Sequence, residues 1–110
     1  MAGRLPYFGV VLHRGRASRR VHRTPVNVFP HGGGVVIALT YGRDVDWVRN
    51  VMAEGGCGLI HRGRVFELVR PRVVPLGDVA QDIPNTIRGI LRLLGVTQAL
   101  RLAPVPPAGQ

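Results

Sequence analysis

Five arginines crowd into twelve residues: Arg14, Arg16, Arg19, Arg20 and Arg23, in the stretch RGRASRRVHRTP from 14 to 25. A guanidinium grips carboxylate or phosphate through two parallel N–H donors. A cluster fixed on a strand connection therefore orients an anionic ligand as well as attracting it. Ser18 adds a hydroxyl to the same connection. The bland alternative for Arg16 and Ser18 is a solvated hairpin. Arg19, Arg20 and Arg23 fall on alternating faces, so not all of them can meet one ligand. Further along, Thr40 and Tyr41 precede DVDWVRN, which carries Trp47 and Asn50. Tyr41 offers a ring for stacking or a phenol proton for a substrate; it equally suits a surface aromatic at a strand end. Asn50 stands three residues after Trp47, so the two are neighbours on a helix surface. An amide there can reach a phosphate or a ring carbonyl, while Trp47 also reads as core.

Other chemistry is less well provided for. His13, His22, His31 and His61 have no metal-ligand spacing with Cys57 or with one another, so no metal site is expected. Gly32 to Gly34 is no phosphate loop, because no Lys follows and no helix starts there. Cys57 is the only cysteine, which excludes an internal disulfide; its setting, CGLI, suits a buried structural thiol.

The elements that must position these groups follow from pattern. Tyr7 to His13 is an apolar run that reads as a strand. Val21 to Phe29 has period two, with Thr24, Val26 and Val28 on one face, and Pro25 marks an edge or a bulge. Residues 31 to 34, HGGG, make a turn. Val35 to Thr40 suits a central strand covered on both faces. Asp44 to Glu54 is the clearest helix: Asp44 suits its cap, Asp46 its first turn, and Gly55 its stop. Trp47, Val48, Val51 and Met52 form its packing face. CGLIHRGRVFELV predicts a hairpin turning near Arg62-Gly63. Val73 and Val74 extend a further short strand, cut off by Pro71 and Pro75. A second helix is expected from Pro84 to Leu94, packing through Ile87, Ile90, Leu91 and Leu94.

The order β-β-β-α-β-β-(β)-α predicts an α+β, mainly β fold. Five or six antiparallel strands close as a small barrel, with a lid helix after the third strand and a helix at the C-terminal end; closure hides the sheet edges. One domain is expected over 1–103, followed by a disordered Pro-rich tail over 104–110. The chain has 110 residues, 45% of them apolar, which is ample for a packed core. Its net charge of +9 comes wholly from Arg, with no Lys. An Arg-biased genome and anion binding both account for that. No secretory signal or membrane span is read, so a cytoplasmic protein is expected, with at most weak peripheral contact with anionic membrane.

Three segments in this order and spacing resemble the deazaflavin-dependent oxidoreductases of the nitroreductase type. Gly15-Arg16-Ala17-Ser18-Arg19 is similar to that family's G-R-(R/K)-S-G turn. Arg23-Thr24-Pro25-Val26 is similar to its R-T-P-(V/L) strand. Thr40-Tyr41-Gly42 with Asp46-Trp47-Val48-Arg49-Asn50 is similar to its second-strand and lid-helix motif. The similar region runs from residue 8 to residue 75.

The resemblance implies a split β-barrel that binds reduced coenzyme F-420, whose tail carries a phosphate and glutamates. Arg16 and Ser18 would hold the phosphate, with Arg19, Arg20 and Arg23 on the tail. Thr24 and Pro25 would lie beside the ring, mostly through backbone. Thr40, Tyr41, Trp47 and Asn50 would complete the pocket, with Tyr41 the candidate proton donor. The chain departs from the pattern at Ala17, where a second basic residue is usual, and at Arg19, where glycine is usual. If Arg19 must take positive φ, the strain is on the order of 1 kcal/mol.

The implied activity is hydride transfer from F-420 to a quinone, nitro compound or similar small acceptor, by a monomer or homodimer. The short N-terminal segment motivates an alternative, a barrel that holds F-420 or FMN without turnover. The charge motivates a third, nucleic-acid binding. Against it, aromatics make up only 5% of the chain and none lies between Arg14 and Arg23.

Overall fold

The computed structural model describes residues 7–106. The first apolar run becomes strand β1, Phe8–Arg14, whose Gly9, Val11 and His13 are buried while the residues between are not. The remaining elements are β2 (Val21–His31), β3 (Gly34–Ala38), α1 (Asp46–Glu54), β4 (Gly56–His61), β5 (Arg64–Pro75), a 3₁₀ segment (Leu76–Asp82), α2 (Asn85–Leu93) and β6 (Gln98–Pro104). The six strands form a closed antiparallel barrel in the order β1-β2-β3-β6-β5-β4. This is the α+β split barrel expected, and two tight turns build it. Gly32 and Gly33, both at positive φ, close β2 onto β3, and Arg62 and Gly63, also at positive φ, close β4 onto β5.

The last strand differs from expectation. The sixth strand is β6, which follows α2, so α2 does not end the fold. Val73 and Val74 belong to β5, which runs on through Pro71. A register shift between Val69 and Arg72, with Arg70 at φ 57°, absorbs that proline as a β-bulge. In β6, Ala99, Leu100 and Leu102 are buried and Arg101 is exposed. The strand pairs with β3 on one side and β5 on the other, so it closes the barrel. Pro104, placed in the tail from sequence, ends this strand; residues 107–110 of that tail lie outside the described residues.

Two apolar clusters share the sheet. Inside the barrel lie Val11, Val28, Ile37, Leu39, Leu59, Leu68, Leu100 and Leu102, joined by Val48 and Val51 of α1. That helix therefore caps the barrel. Outside, Phe29, Val36, Ala38 and Ala99 pack against Val79, Ile83, Leu91 and Val96. β3 is thus covered on both faces, as its unbroken apolar run requires.

Helix details are corrected too. The cap of α1 is Val45, without a side-chain bond, and Asp44 instead pairs with Arg49 (3.9 Å). Met52 is exposed and Asn50 is buried in its place. Gly55 at φ 80° ends the helix. Pro84 is the cap of α2 rather than a first-turn residue. On α2 only Leu91 is fully buried, with Ile87 half-buried, while Ile90 and Leu94 face solvent. Cys57 is half-buried, and burial, with Glu67 adding to it, pushes its thiol up to about 12. It stays protonated at neutral pH and is no nucleophile.

Candidate functional site

The barrel is closed, but not along its whole length. β2 meets β3 only from Val28 to His31, whereas its earlier residues pair with β1 alone. The Val28 N–H donates to the Tyr7 carbonyl (3.0 Å), so by strand alternation the backbone groups of Arg23, Pro25 and Asn27 point to the unpaired edge. Pro25 therefore costs no ladder bond and sits at an edge without a bulge, one of the two settings its sequence suggested.

Opposite this edge the chain leaves β3 in a turn. The Gly42 N–H donates to the Leu39 carbonyl (3.0 Å), which puts Thr40 and Tyr41 at its tip. Between the edge and the turn lies a cavity of about 360 Å³. Phe8, Pro25, Val26 and Asn27 line one side, Leu39 to Gly42 and Val45 the other. A second cavity, of about 600 Å³, opens between the β1–β2 connection and α1, lined by Gly15, Arg16, Ala17, Ser18, His22, Arg23, Asp46 and Asn50, with His13 at its base. Thr24 and Trp47 line both cavities, so the two adjoin at these residues.

The connection is compact for a reason seen at Gly15. A Cβ there would stand 2.4 Å from Ser18 Oγ, so a larger residue would push the hydroxyl out of this position. Ser18 Oγ in turn accepts the Arg20 N–H (3.2 Å). Arg19 holds φ 59°, so the conditional strain raised for that position is present. Its strain is offset locally: the Arg14 guanidinium donates to its carbonyl (2.9 Å), and its own guanidinium pairs with Glu54 (3.3 Å). Arg19 and Arg20 line neither cavity. Arg16 and Arg23 do.

Asn50 joins the connection to the helix. Its Oδ1 accepts both the Arg16 backbone N–H (3.2 Å) and the Arg16 guanidinium (2.8 Å). That fixes the amide so that Nδ2 donates to His13 Nδ1 (3.0 Å). The His13 proton must then sit on Nε2, which donates to Thr24 Oγ1 (2.8 Å). Thr24 is left with its own O–H, which has no acceptor among the described residues and stands where the two cavities meet. Burial holds His13 below its ordinary 6.5, His22 adds to this and Asp46 opposes it. The neutral ring that this chain of bonds demands is therefore the stable one. Arg16 also reaches the Asp46 carbonyl (3.3 Å) and carboxylate (3.5 Å).

The structure thus brings Arg16, Ser18, Arg23, Thr24, Pro25, Thr40, Tyr41, Trp47 and Asn50 to one cleft made of these two adjoining cavities, and leaves Arg19 and Arg20 outside the lining of both. Tyr41 is 85% exposed, at the mouth. Sequence reasoning missed His13, considered there only as a metal ligand, and Asn27. The signal for His13 was present: it continues the buried parity of Gly9 and Val11.

The sequence matches no family model and no curated protein. Solved structures share the fold at low identity. The protein Atu2129 from Agrobacterium tumefaciens, of unknown function, superposes with a TM-score of 0.62 at 14% identity, over 94% of this chain and 50% of that one. A structure described as a domain-swapped dimer gives 0.56 at 12%, over 87% and 79%. An F-420-H2 dependent reductase, FDR-A, gives 0.50 at 12%, over 86% and 93%. The barrel is therefore one on which an F-420-H2 dependent reductase is built.

Proposed function

We propose that this protein is an F-420-dependent oxidoreductase that reduces a small organic acceptor such as a quinone or nitro compound. One observation carries the proposal: a largely apolar slot adjoins a guanidinium-lined cavity, with Thr24 and Trp47 common to both. A flat heterocycle with a phosphate-bearing tail has that same division. The fold neighbour FDR-A supports the choice of cofactor.

The residues present fit such a group. Arg16, Arg23 and Ser18 hold the phosphate end, and Asn50 keeps Arg16 aimed at it. The unpaired backbone edge at Pro25 and Asn27 offers donors and acceptors to polar ring atoms, and Trp47 bounds the slot against water. When bound, the reduced deazaflavin supplies the hydride. Tyr41 offers a phenol O–H at the mouth, to an acceptor that gains negative charge. The exposure of Tyr41 favours a second reading, a barrel that holds the cofactor without turnover.

Titrating purified protein into F-420 and, separately, FMN, with fluorescence as the signal, tests the first step. Micromolar or tighter binding of F-420 is expected; no change at high protein concentration sinks both readings. Oxidation of the reduced cofactor by a panel of quinones and nitroaromatics then separates them, since binding without turnover leaves only the second.

A further inference from the structure

At the far end of β2 the barrel carries another cluster of cations. Arg72 on β5 and Arg101 on β6 are directly opposed in the antiparallel pairing, and both are exposed. Like charges placed opposite on neighbouring strands repel, so this pair is unfavourable unless something negative lies across it. Arg70, two residues before Arg72, joins them from the bulge, held in a left-handed conformation that a non-glycine residue adopts only under strain. The three line one cavity of about 350 Å³, together with His31 and the chain at Gly32, Gly34 and residues 102–104. None of the three is within 4 Å of a carboxylate among the described residues. The nearby acid Asp82 is taken by His31, 2.5 Å away. Gly34 lets β3 lie close against β6 at the cavity wall, since a Cβ there would meet the Leu102 carbonyl at 2.1 Å.

We propose that Arg70, Arg72 and Arg101, beside His31, form a second anion site, which takes a phosphate-type group. A planar fork on each of two facing strands suits the several oxygens of a phosphate or pyrophosphate better than a single carboxylate. The site is separate from the cleft described above. From Arg23 to His31 is eight residues of β2, about 26 Å of strand, so one ligand of ordinary size does not cover both. The phosphate can belong to a soluble metabolite or to a lipid headgroup, because the chemistry of recognition is common to both.

Titration of the full chain with sodium pyrophosphate, followed by ¹H–¹⁵N NMR, tests it. Amides at 31–34, 70–72 and 101 should shift saturably. In Arg72→Gln and Arg101→Gln that response should weaken about tenfold or more, while amides at 15–20 respond as in the parent. Shifts at 31–34, 70–72 and 101 that never saturate, or that persist unchanged in both variants, overturn the proposal. Stability gives an independent readout that does not need the ligand. At low salt either variant should unfold at a higher denaturant concentration than the parent, because the opposed charge is gone; a lower midpoint in both would refute the unpaired repulsion. Sedimentation with phosphatidylcholine vesicles, with and without phosphatidylserine, identifies the source. Pelleting with the anionic vesicles alone, lost in both variants, assigns a headgroup. Saturable pyrophosphate binding without pelleting assigns a soluble ligand, and neither response overturns the site.

Discussion

Asn50 Nδ2 stands 3.0 Å from His13 Nδ1, and both side chains are buried where the lid helix meets the first strand. Because Asn50 Oδ1 is already claimed by two donors from Arg16, the amide cannot turn over without losing both. One buried amide thus sets the direction of every hydrogen bond from Arg16 to Thr24. It couples the anion end of the cleft to the point where the slot begins.

Removing that amide should loosen the whole line. Asn50→Ala leaves a buried imidazole nitrogen and the Arg16 N–H without partners, at about 1–3 kcal/mol of stability. F-420 should bind about tenfold more weakly as Arg16 loses its anchor. Urea denaturation and a fluorescence titration read the two effects, and unchanged values in both would show the network to be idle.

Acid should act through His13. Its folded-state pKa lies below 6.5, so between the two values the unfolded chain binds more protons than the folded one. Stability is therefore full above 6.5, falls as pH drops through 6.5, and levels off below the folded value. Protonated His13 would also present N–H to the Asn50 Nδ2, so cofactor affinity should fall at lower pH, as the folded-state value is passed. Denaturation midpoints from pH 7.5 to 5 check this, and His13→Gln should flatten the slope. A slope that survives the substitution would move the titration to another group.

The arginines should separate into two classes. Arg16→Ala and Arg23→Ala are expected to weaken F-420 binding about ten- to hundredfold, as the loss of a charge-assisted bond predicts. Arg20→Ala, outside the lining of both cavities, should change it less than about threefold. Equal effects at all three positions would point to diffuse charge rather than a built site.

Tyr41→Phe separates the catalytic from the holding function. If the phenol delivers the proton, turnover should fall about a hundredfold with the dissociation constant of F-420 unchanged. Equal turnover in the variant would remove Tyr41 from the chemistry.

The strand hidden from sequence reasoning should matter greatly to stability. Leu100 is fully buried inside the barrel on β6. Leu100→Ala should cost about 2–5 kcal/mol, read by denaturation; a loss below 1 kcal/mol would mean that β6 closes the barrel only loosely.

Much of this was legible along the chain, because it is written in local chemistry. Apolar runs placed the first and third strands and a period-two pattern the second, glycines placed the hairpins and the end of the lid helix, and the density of arginine marked one end of the cleft. Those signals come from steric and charge preferences that act within a few residues. β6 was not legible, since QALRLAP follows helix-like sequence and leads into prolines, and only pairing with two distant strands makes it a strand. Pro71 looked like a break because a bulge is a property of two strands together. The division of the arginines, with Arg16 and Arg23 lining the cleft and Arg19 tied to Glu54, depends on where the lid helix lands. Likewise, His13 is just another histidine in the sequence; folding puts Asn50, thirty-seven residues away, on one of its nitrogens and Thr24 on the other, and so decides where its proton sits.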